Sequence, residues 1–432
     1  MRDFGQSDNA RVQAQLDRLA ALSLPQGRLG LATIRALLER LGNPHRNLPP
    51  VFHVAGTNGK GSTCAFLRAM LEAEGYCVHV TTSPHLVRYN ERIRLAGELI
   101  SDDLLADLLE EVLDAGADLA PSFFEVTIAA ALLAFSRTPA DACVVEVGLG
   151  GRFDATNVLE PAAIAACGIA ALGLDHERFL LAPEEGVPQA PLARIAFEKA
   201  GIAKSGVPLV SLAQGLPEEY AITGQAARAG TGLLLAGRDW DFASDGAQLA
   251  YHDGTGALQL PLPALPGAHQ AANAALAIAM LRHQNRLTIS EAALGAGLGA
   301  VRWPARLQRL GEGPLSALVS QAVWLDGGHN PSAGIAIAAH FQEPLHLIIG
   351  MIAGKNPRAI IDPLGDRVRT LTVVPVPGHE WHPVSAFGPS AQAAATIADA
   401  LLGVPSDGFP ILITGSLYLA GEVLRLNREP PA

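Results

Sequence analysis

Val51-Phe-His-Val-Ala-Gly56-Thr57-Asn58-Gly59-Lys60-Gly61-Ser62-Thr63 decides how this chain is read. A short apolar run ends in a glycine-rich turn, and a helical pattern begins at Ser62. That is where a phosphate-binding loop must sit. Glycines let backbone N–H groups close on phosphate oxygens, the helix N-terminus adds partial positive charge, and Lys60 reaches the outer phosphates. The generic pattern G-x-x-x-x-G-K-[ST] is not met strictly, since its first glycine falls at Val54 and Gly61 takes the hydroxyl position after the lysine. A plain glycine-rich turn would look similar, but the strand before and the helix after favour the loop. Gly56, Thr57, Asn58, Gly59, Lys60, Gly61 and Ser62 are therefore the candidate nucleotide contacts.

Outward from this loop, short apolar runs alternate with longer amphipathic stretches, the signature of a parallel sheet flanked by helices. Strands are expected at 51–55, 77–82, 142–147, 163–168 and 208–212, with helices at 62–74, 102–115, 124–136 and 192–200. Asp241 to Pro266, rich in Gly and Asp, reads as a small β-rich extension, followed by helices at 269–282 and 290–298. After Arg302-Trp-Pro-Ala-Arg306 the alternation restarts, with strands at 322–325, 345–349, 370–374 and 411–414. Helices are expected between them at 332–340, 357–364 and 390–402, and then at 417–426. The fold class expected is α/β: a phosphate-loop, mostly parallel sheet over residues 1–300, then a smaller Rossmann-like α/β domain over 301–432.

A chain of 432 residues exceeds what one compact core usually supports, in keeping with two domains. Hydrophobic residues at 49% and charged residues at 17% give a globular balance, and much of the apolar share is alanine. No apolar run approaches a bilayer span, and the opening Met1–Asp8 lacks the apolar core of a signal peptide, so a cytoplasmic protein is expected. A net charge of −11 argues against non-specific nucleic-acid binding. Cys64, Cys77, Cys143 and Cys167 stand far apart and read as free thiols, three of them in apolar segments. An acidic enzyme for anionic substrates must concentrate positive charge locally, which directs attention to isolated Lys, Arg and metal sites.

Glu146 ends the apolar strand at 142–147, at the carboxyl edge where open α/β sheets bind ligands. Alone it reads as readily as a surface charge, Ser83 before Pro84 as a turn, and Asp175-His176 as a loop. Lys199, beside Glu198, reads as a surface helix lysine.

The motifs do not stand alone. Gly56-Thr-Asn-Gly-Lys-Gly-Ser62, Ser83-Pro-His-Leu, Asn90-Glu-Arg-Ile, Glu146-Val-Gly-Leu-Gly-Gly-Arg152-Phe-Asp154-Ala-Thr-Asn157 and Asp175-His176 appear first. Glu198-Lys199-Ala-Gly-Ile, Gly267-Ala-His-Gln-Ala-Ala-Asn273, Trp303-Pro-Ala-Arg306, Asp326-Gly-Gly-His329-Asn-Pro and Thr414-Gly-Ser-Leu-Tyr follow. In this order they resemble the folylpolyglutamate and dihydrofolate synthases of the Mur ligase superfamily, over residues 20 to 420.

The resemblance implies an ATP-dependent carboxylate–amine ligase. It would join L-glutamate to dihydropteroate, to (tetrahydro)folate polyglutamates, or to both, through an acyl phosphate. Such chemistry needs three phosphates held, developing charge neutralised, and water kept from the mixed anhydride. By the same resemblance Ser83, Glu146 and His176 are magnesium ligands, with two ions expected and potassium a further candidate cofactor. Lys60, Lys199, His176 and Arg306 form the catalytic set. Asn273 would meet adenine, Arg306 the terminal phosphate and Asp326 the ribose, with His329 beside it. Phe124, Arg152 and Asp154 would contact the pterin-glutamate substrate, and 26–31 resembles a substrate loop.

The family's counterpart of Lys199 is carbamylated. The physics agrees if metals lie near, because an ammonium about 4 Å from one positive charge costs roughly 4 kcal/mol at an effective dielectric near 20. The stretch Phe179–Pro191 makes the loop before Lys199 longer than the family's usual one. With Lys60 and Glu146 in the first domain and Arg306 in the second, the site would be complete only on closure. A monomer acting on small molecules is expected, without nucleic-acid or membrane partners.

Two other readings stand beside this one. A cell-wall Mur ligase shares the scaffold, but the Gly-Lys-Gly-Ser loop, Ser83-Pro-His-Leu and the Glu-Arg-Ile segment belong to the folate branch. A non-catalytic nucleotide-binding regulator would not need Lys60, Glu146, His176, Lys199 and Arg306 all intact. The whole reading requires Lys60 and Glu146 on the same side of the folded chain.

Overall fold

The apolar runs form strands buried on both faces, as parallel strands covered by helices must be. The structure, a computed structural model, describes residues 5–22 and 30–431. Met1–Phe4 and residues 26–29, which carry part of the reading of the start and of the expected substrate loop, lie outside the described residues.

The chain divides into two compact units. The first takes in the chain up to Pro84, Arg88–Ala264 and Ala271–Val301; the second takes in His85–Val87, Leu265–Gln270 and the chain from Arg302.

The first unit holds β1 (Val51–Ala55), β2 (Val78–Thr81), β3 (Ile93–Leu95), β4 (Glu98–Leu99), β5 (Ala142–Glu146), β6 (Ile164–Ile169), β7 (Leu209–Ser211) and β8 (Leu233–Leu235). Their order in the sheet is β4-β3-β2-β5-β1-β6-β7-β8. All pairs are parallel except the β2–β3 and β3–β4 pairs at one edge. The helix Phe123–Arg137 is buried from Val126 to Phe135 and packs into the core with Val51, Cys143 and Val145. Ser122 starts it with a capping box to Glu125, satisfying two orphan donors at once. The expected β-rich extension is an antiparallel sheet of β9 (Trp240–Ser244), β10 (Gln248–Asp253) and β11 (Gly256–Pro261).

The second unit carries β12 (Gln308–Arg309), β13 (Val323–Leu325), β14 (Leu345–Ile349), β15 (Val368–Val373), β16 (Ala391–Ala393) and β17 (Ile411–Thr414). They run β12-β13-β17-β14-β15-β16, parallel apart from β12. Its last helix, Leu417–Leu426, follows β17 directly, capped by Ser416.

Two expected helices differ. Residues 390–402 split into strand β16 and a helix Ile397–Leu402 capped by Thr396, because parallel pairing of Ala391–Ala393 with β15 outweighs alanine's helix preference. The helix expected at 357–364 is confined to Ile361–Leu364. Helices Ala10–Ala20, Ala32–Arg40 and Leu216–Ala229, with strands β3, β4 and β8, were not anticipated by the apolar pattern. Among the described residues no helix is long and apolar enough to cross a membrane. Cys64, Cys143 and Cys167 are buried free thiols, and Cys77 is partly exposed.

Candidate active site

Parallel pairing places the ends of β2, β5, β1 and β6 on one edge of the first unit's sheet. β1 lies between β5 and β6, with Val54 level with Glu146 and Ala55 level with Ile169. The glycine-rich loop leaves β1 at that edge. Thr57 and Asn58 N–H groups donate to the Ala171 carbonyl at 2.9 and 3.1 Å, and Thr57 Oγ1 bonds the Gly173 backbone. Gly56 has φ 152°, and a Cβ there would come 2.8 Å from Ala170 Cβ. Gly59 has φ 85°, and a Cβ there would overlap Asn273 Oδ1. Only glycine suits both conditions at Gly59. Among the described residues no side chain caps the helix Lys60–Ala73, which leaves its first turn suited to an anion.

Lys60 Nζ lies 4.0 Å from Glu146 Oε1 and donates to the Thr57 carbonyl at 3.4 Å. Glu146 is 5% exposed, and its Oε2 accepts the Ser83 N–H at 3.1 Å. Lys60, Glu146 and Ser83 are thus brought together, and Asn273 is set against the loop at Gly59. His176 follows β6 with φ 52°, its Nε2 3.9 Å from Asp175 Oδ2.

Lys199 is no surface residue. It is buried near the end of the helix Pro191–Ala200 and donates to the Gly56 carbonyl at 2.8 Å. Burial, and next the charge of Lys60, push its amine down to about 7, against the pull of Asp175 and Asp154. A large share of this amine is therefore neutral near neutral pH.

Two expected substrate contacts, Asp154 and Arg152, bond within the protein. Asp154 is buried, and its carboxylate accepts Leu149 N–H at 2.8 Å, Thr156 N–H at 3.0 Å and Thr156 Oγ1–H at 2.5 Å. These bonds shape the turn after β5. Arg152 donates from Nε, Nη1 and Nη2 to Glu198 and Glu184, between the faces of Phe153 and Phe197. Its fork is filled by protein carboxylates. Phe124 is half-buried against Gly148, where a Cβ would overlap its ring, so it does lie beside the end of β5.

Arg306, Asp326 and His329 are in the second unit, where two loops meet beyond β13. Asp326 accepts Leu307 N–H at 2.8 Å and Gly328 N–H at 2.7 Å, and Gly327 N–H donates to the Ala305 carbonyl. Arg306 Nη1 donates to that same carbonyl, and His329 Nδ1 lies 3.2 Å from Gly327 O. Ala305 and Leu307 have φ 55° and 46°, so the backbone is strained on both sides of Arg306.

The residues present fit a magnesium nucleotide. Among the described residues no three His, Cys, Asp or Glu side chains gather as a metal cage. Magnesium does not require one, because it keeps waters and commonly takes one or two carboxylates plus substrate phosphates. The buried Glu146 can supply such a carboxylate, beside a lysine and a loop shaped for phosphate.

Sequence reading did not single out Glu184 or Arg194. The i to i+4 spacing of Arg194 and Glu198 on a helix is a signal that could have flagged one of them. Nothing local marks Glu184, whose neighbours on the chain are exposed.

The relatives this chain matches are ATP-dependent ligases, and that is this chain's class. No family model matches the chain. A folylpolyglutamate synthase of Lacticaseibacillus casei is 33% identical over 420 residues, covering 90% of this chain and 92% of that protein. The chain belongs to the folylpolyglutamate synthase/dihydrofolate synthase family. Escherichia coli FolC in complex with DHPP and ADP superposes with TM-score 0.83 at 30% identity, over 96% of this chain and 97% of that one. A bifunctional folylpolyglutamate synthase/dihydrofolate synthase with Mn, AMPPNP and L-glutamate bound matches with TM-score 0.82 at 29% identity, over 96% and 97%.

Proposed function

We propose that this protein ligates L-glutamate to a folate-type carboxylate, dihydropteroate or (tetrahydro)folate polyglutamates, at the expense of ATP. The observation that carries this is Lys60 Nζ standing 4.0 Å from the buried Glu146, at the end of a loop in which Gly56 and Gly59 admit no side chain. Relatives holding ADP or AMPPNP, with DHPP or L-glutamate, support the same substrates.

The loop N–H groups and Lys60 would hold the ATP phosphates, with Asn273, Arg306, Asp326 and His329 completing the nucleotide contacts. The terminal phosphoryl group passes from ATP to the substrate carboxylate, giving an acyl phosphate and ADP; the neutral glutamate amine then attacks the carbonyl carbon, inorganic phosphate leaves, and the amine's proton is released to solvent. Lys60 offsets the negative charge that develops during transfer, and a site closed to water protects the mixed anhydride. Bound magnesium, two ions on this reading, would supply further charge neutralisation through Glu146, Ser83 and His176, and potassium is an additional candidate. Lys199 bears a carbamate: its neutral amine adds to carbon dioxide, a C–N bond forms, and one proton is released. The buried ammonium thereby becomes an anion suited to a metal-rich site. Phe124 lines the pterin side. The protein works as a cytoplasmic monomer on small molecules, without nucleic acid or membrane.

The test is purified protein with magnesium-ATP and labelled glutamate, offered dihydropteroate and tetrahydrofolate in parallel. Labelled product with either acceptor supports the reading. Phosphate release with neither, but with a muramyl substrate, discards it.

A further inference from the structure

Between the short helix Glu177–Leu180 and the helix Pro191–Ala200, the chain runs as a loop whose residues 182, 183, 185 and 186 are exposed. Glu184 alone among these turns inward, its side chain 15% exposed. Its carboxylate accepts Arg152 Nη1 at 3.1 Å and Nη2 at 2.5 Å, a two-pronged grip, and Arg194 Nη2 at 2.7 Å. Glu198 closes the group from the opposite side, accepting Arg152 Nε at 3.0 Å and Nη2 at 2.7 Å and Arg194 Nε at 2.9 Å. Among the described residues this group pairs two arginines with two carboxylates, with Arg194 and Glu198 buried. Without Glu184, Glu198 would be the carboxylate left to both guanidiniums among the described residues.

This group touches the backbone that carries Lys199. Arg152 N–H donates to the Glu198 carbonyl at 2.7 Å. A Cβ at Gly151 would come 2.7 Å from the Lys199 carbonyl, and one at Gly201 would overlap Arg152. Arg152 cannot move without disturbing residues 198–201, and Lys199 reaches Gly56 from that segment.

We propose that Glu184 is a positioning residue: through Arg152 and Arg194 it fixes the helix end that holds Lys199 against the phosphate loop. The inference rests on the ligase reading for its consequence in turnover, but its geometric content can be read without turnover.

The experiment compares wild type with Glu184→Gln, Glu184→Ala and, as a control, Glu185→Ala, an exposed carboxylate on the same loop. Lys199 reactivity towards an amine-labelling reagent is quantified by mass spectrometry in carbon-dioxide-free buffer, where the amine is free, and kcat and KM for ATP are measured separately in ordinary buffer. Glu184→Ala is expected to raise Lys199 labelling severalfold and to lower kcat about tenfold or more, since small misplacements of catalytic groups are costly. Glu184→Gln, which keeps the shape but not the charge, should fall between, with KM for ATP within about twofold throughout. Unchanged Lys199 labelling and kcat in folded Glu184→Gln would overturn the proposal, even if thermal stability fell. A wild type inactive with every folate acceptor would sink the ligase reading, while the labelling comparison would still decide the role of Glu184.

Discussion

Lys60 Nζ stands 4.0 Å from Glu146 Oε1, although the two residues belong to a helix start and a strand end far apart in the chain. Parallel pairing of β1 with β5 brings them together, because it sets Val54 level with Glu146 and so delivers the loop directly above the carboxylate. The lysine can offset phosphate charge, and the carboxylate is a donor that a divalent ion can use.

Lys60→Ala is therefore expected to lower kcat by roughly 10²–10³, the usual loss when a preorganised charge-stabilising donor is removed. Glu146→Gln should raise the magnesium concentration needed for half-maximal rate. Phosphate release against magnesium concentration measures both, with circular dichroism to check folding. Wild-type turnover in Lys60→Ala would remove the lysine from the chemistry.

Lys199 sets a pH dependence whose sign follows from its burial. Its amine is pushed down to about 7 in the folded chain, against an ordinary lysine value of 10.5, so between those values the unfolded chain binds more protons. In carbon-dioxide-free buffer, stability should then rise with pH across that window, by up to about 1.4 kcal/mol per pH unit. Below pH 7 both states are protonated, and the full cost of the buried ammonium stands. Lys199→Met should abolish this increment, as urea unfolding at pH 6, 7.5 and 9 will show. Conversely, ¹³CO₂ incorporation at Lys199 should grow as pH rises through 7, and its absence by NMR would exclude the carbamate.

Gly59→Ala tests the loop itself. It forces a side chain into φ 85° and into Asn273 Oδ1, whereas Gly75→Ala, at φ 98°, meets open space. Gly75→Ala should cost about 1 kcal/mol from backbone strain alone. Gly59→Ala should cost more and weaken ATP binding at least about tenfold, as steric displacement of a cradle implies. Calorimetric titration with ATP separates the two variants; equal affinities would contradict the cradle.

Asp154→Ala would strand the Leu149 and Thr156 N–H groups. About 2–4 kcal/mol of stability should be lost, since each buried donor left unpaired costs about 1–3 kcal/mol. Asp154→Asn, which keeps an acceptor, should cost less. In a folded Asp154→Asn preparation the KM for the folate acid should stay within about twofold, because the side chain faces its own turn. A large KM increase without loss of stability would make Asp154 a substrate contact.

Much of the fold was legible because its signals are local. Val51–Ala55 is an apolar run followed by Gly56 and Gly59, and 142–146 and 345–349 are apolar runs bounded by polar turns. Residues 390–402 misled because alanine's intrinsic preference is small, and strand pairing with β15 reversed it. At the site, Gly59 and Lys60 were readable because a phosphate cradle is built within a few residues. Arg152 was not, since its partners Glu184 and Glu198 come from 32 and 46 positions away.

By itself, then, the sequence determined the strand–glycine–helix unit, the alternation that makes the sheet parallel, and the family, because these are written in short-range patterns of size, polarity and backbone freedom. Only the tertiary structure decided which charges meet: Lys60 with Glu146, Glu184 with Arg152 and Arg194, and Lys199 sunk out of water. Coulombic pairing and desolvation depend on distance and burial in space, and no local pattern encodes either.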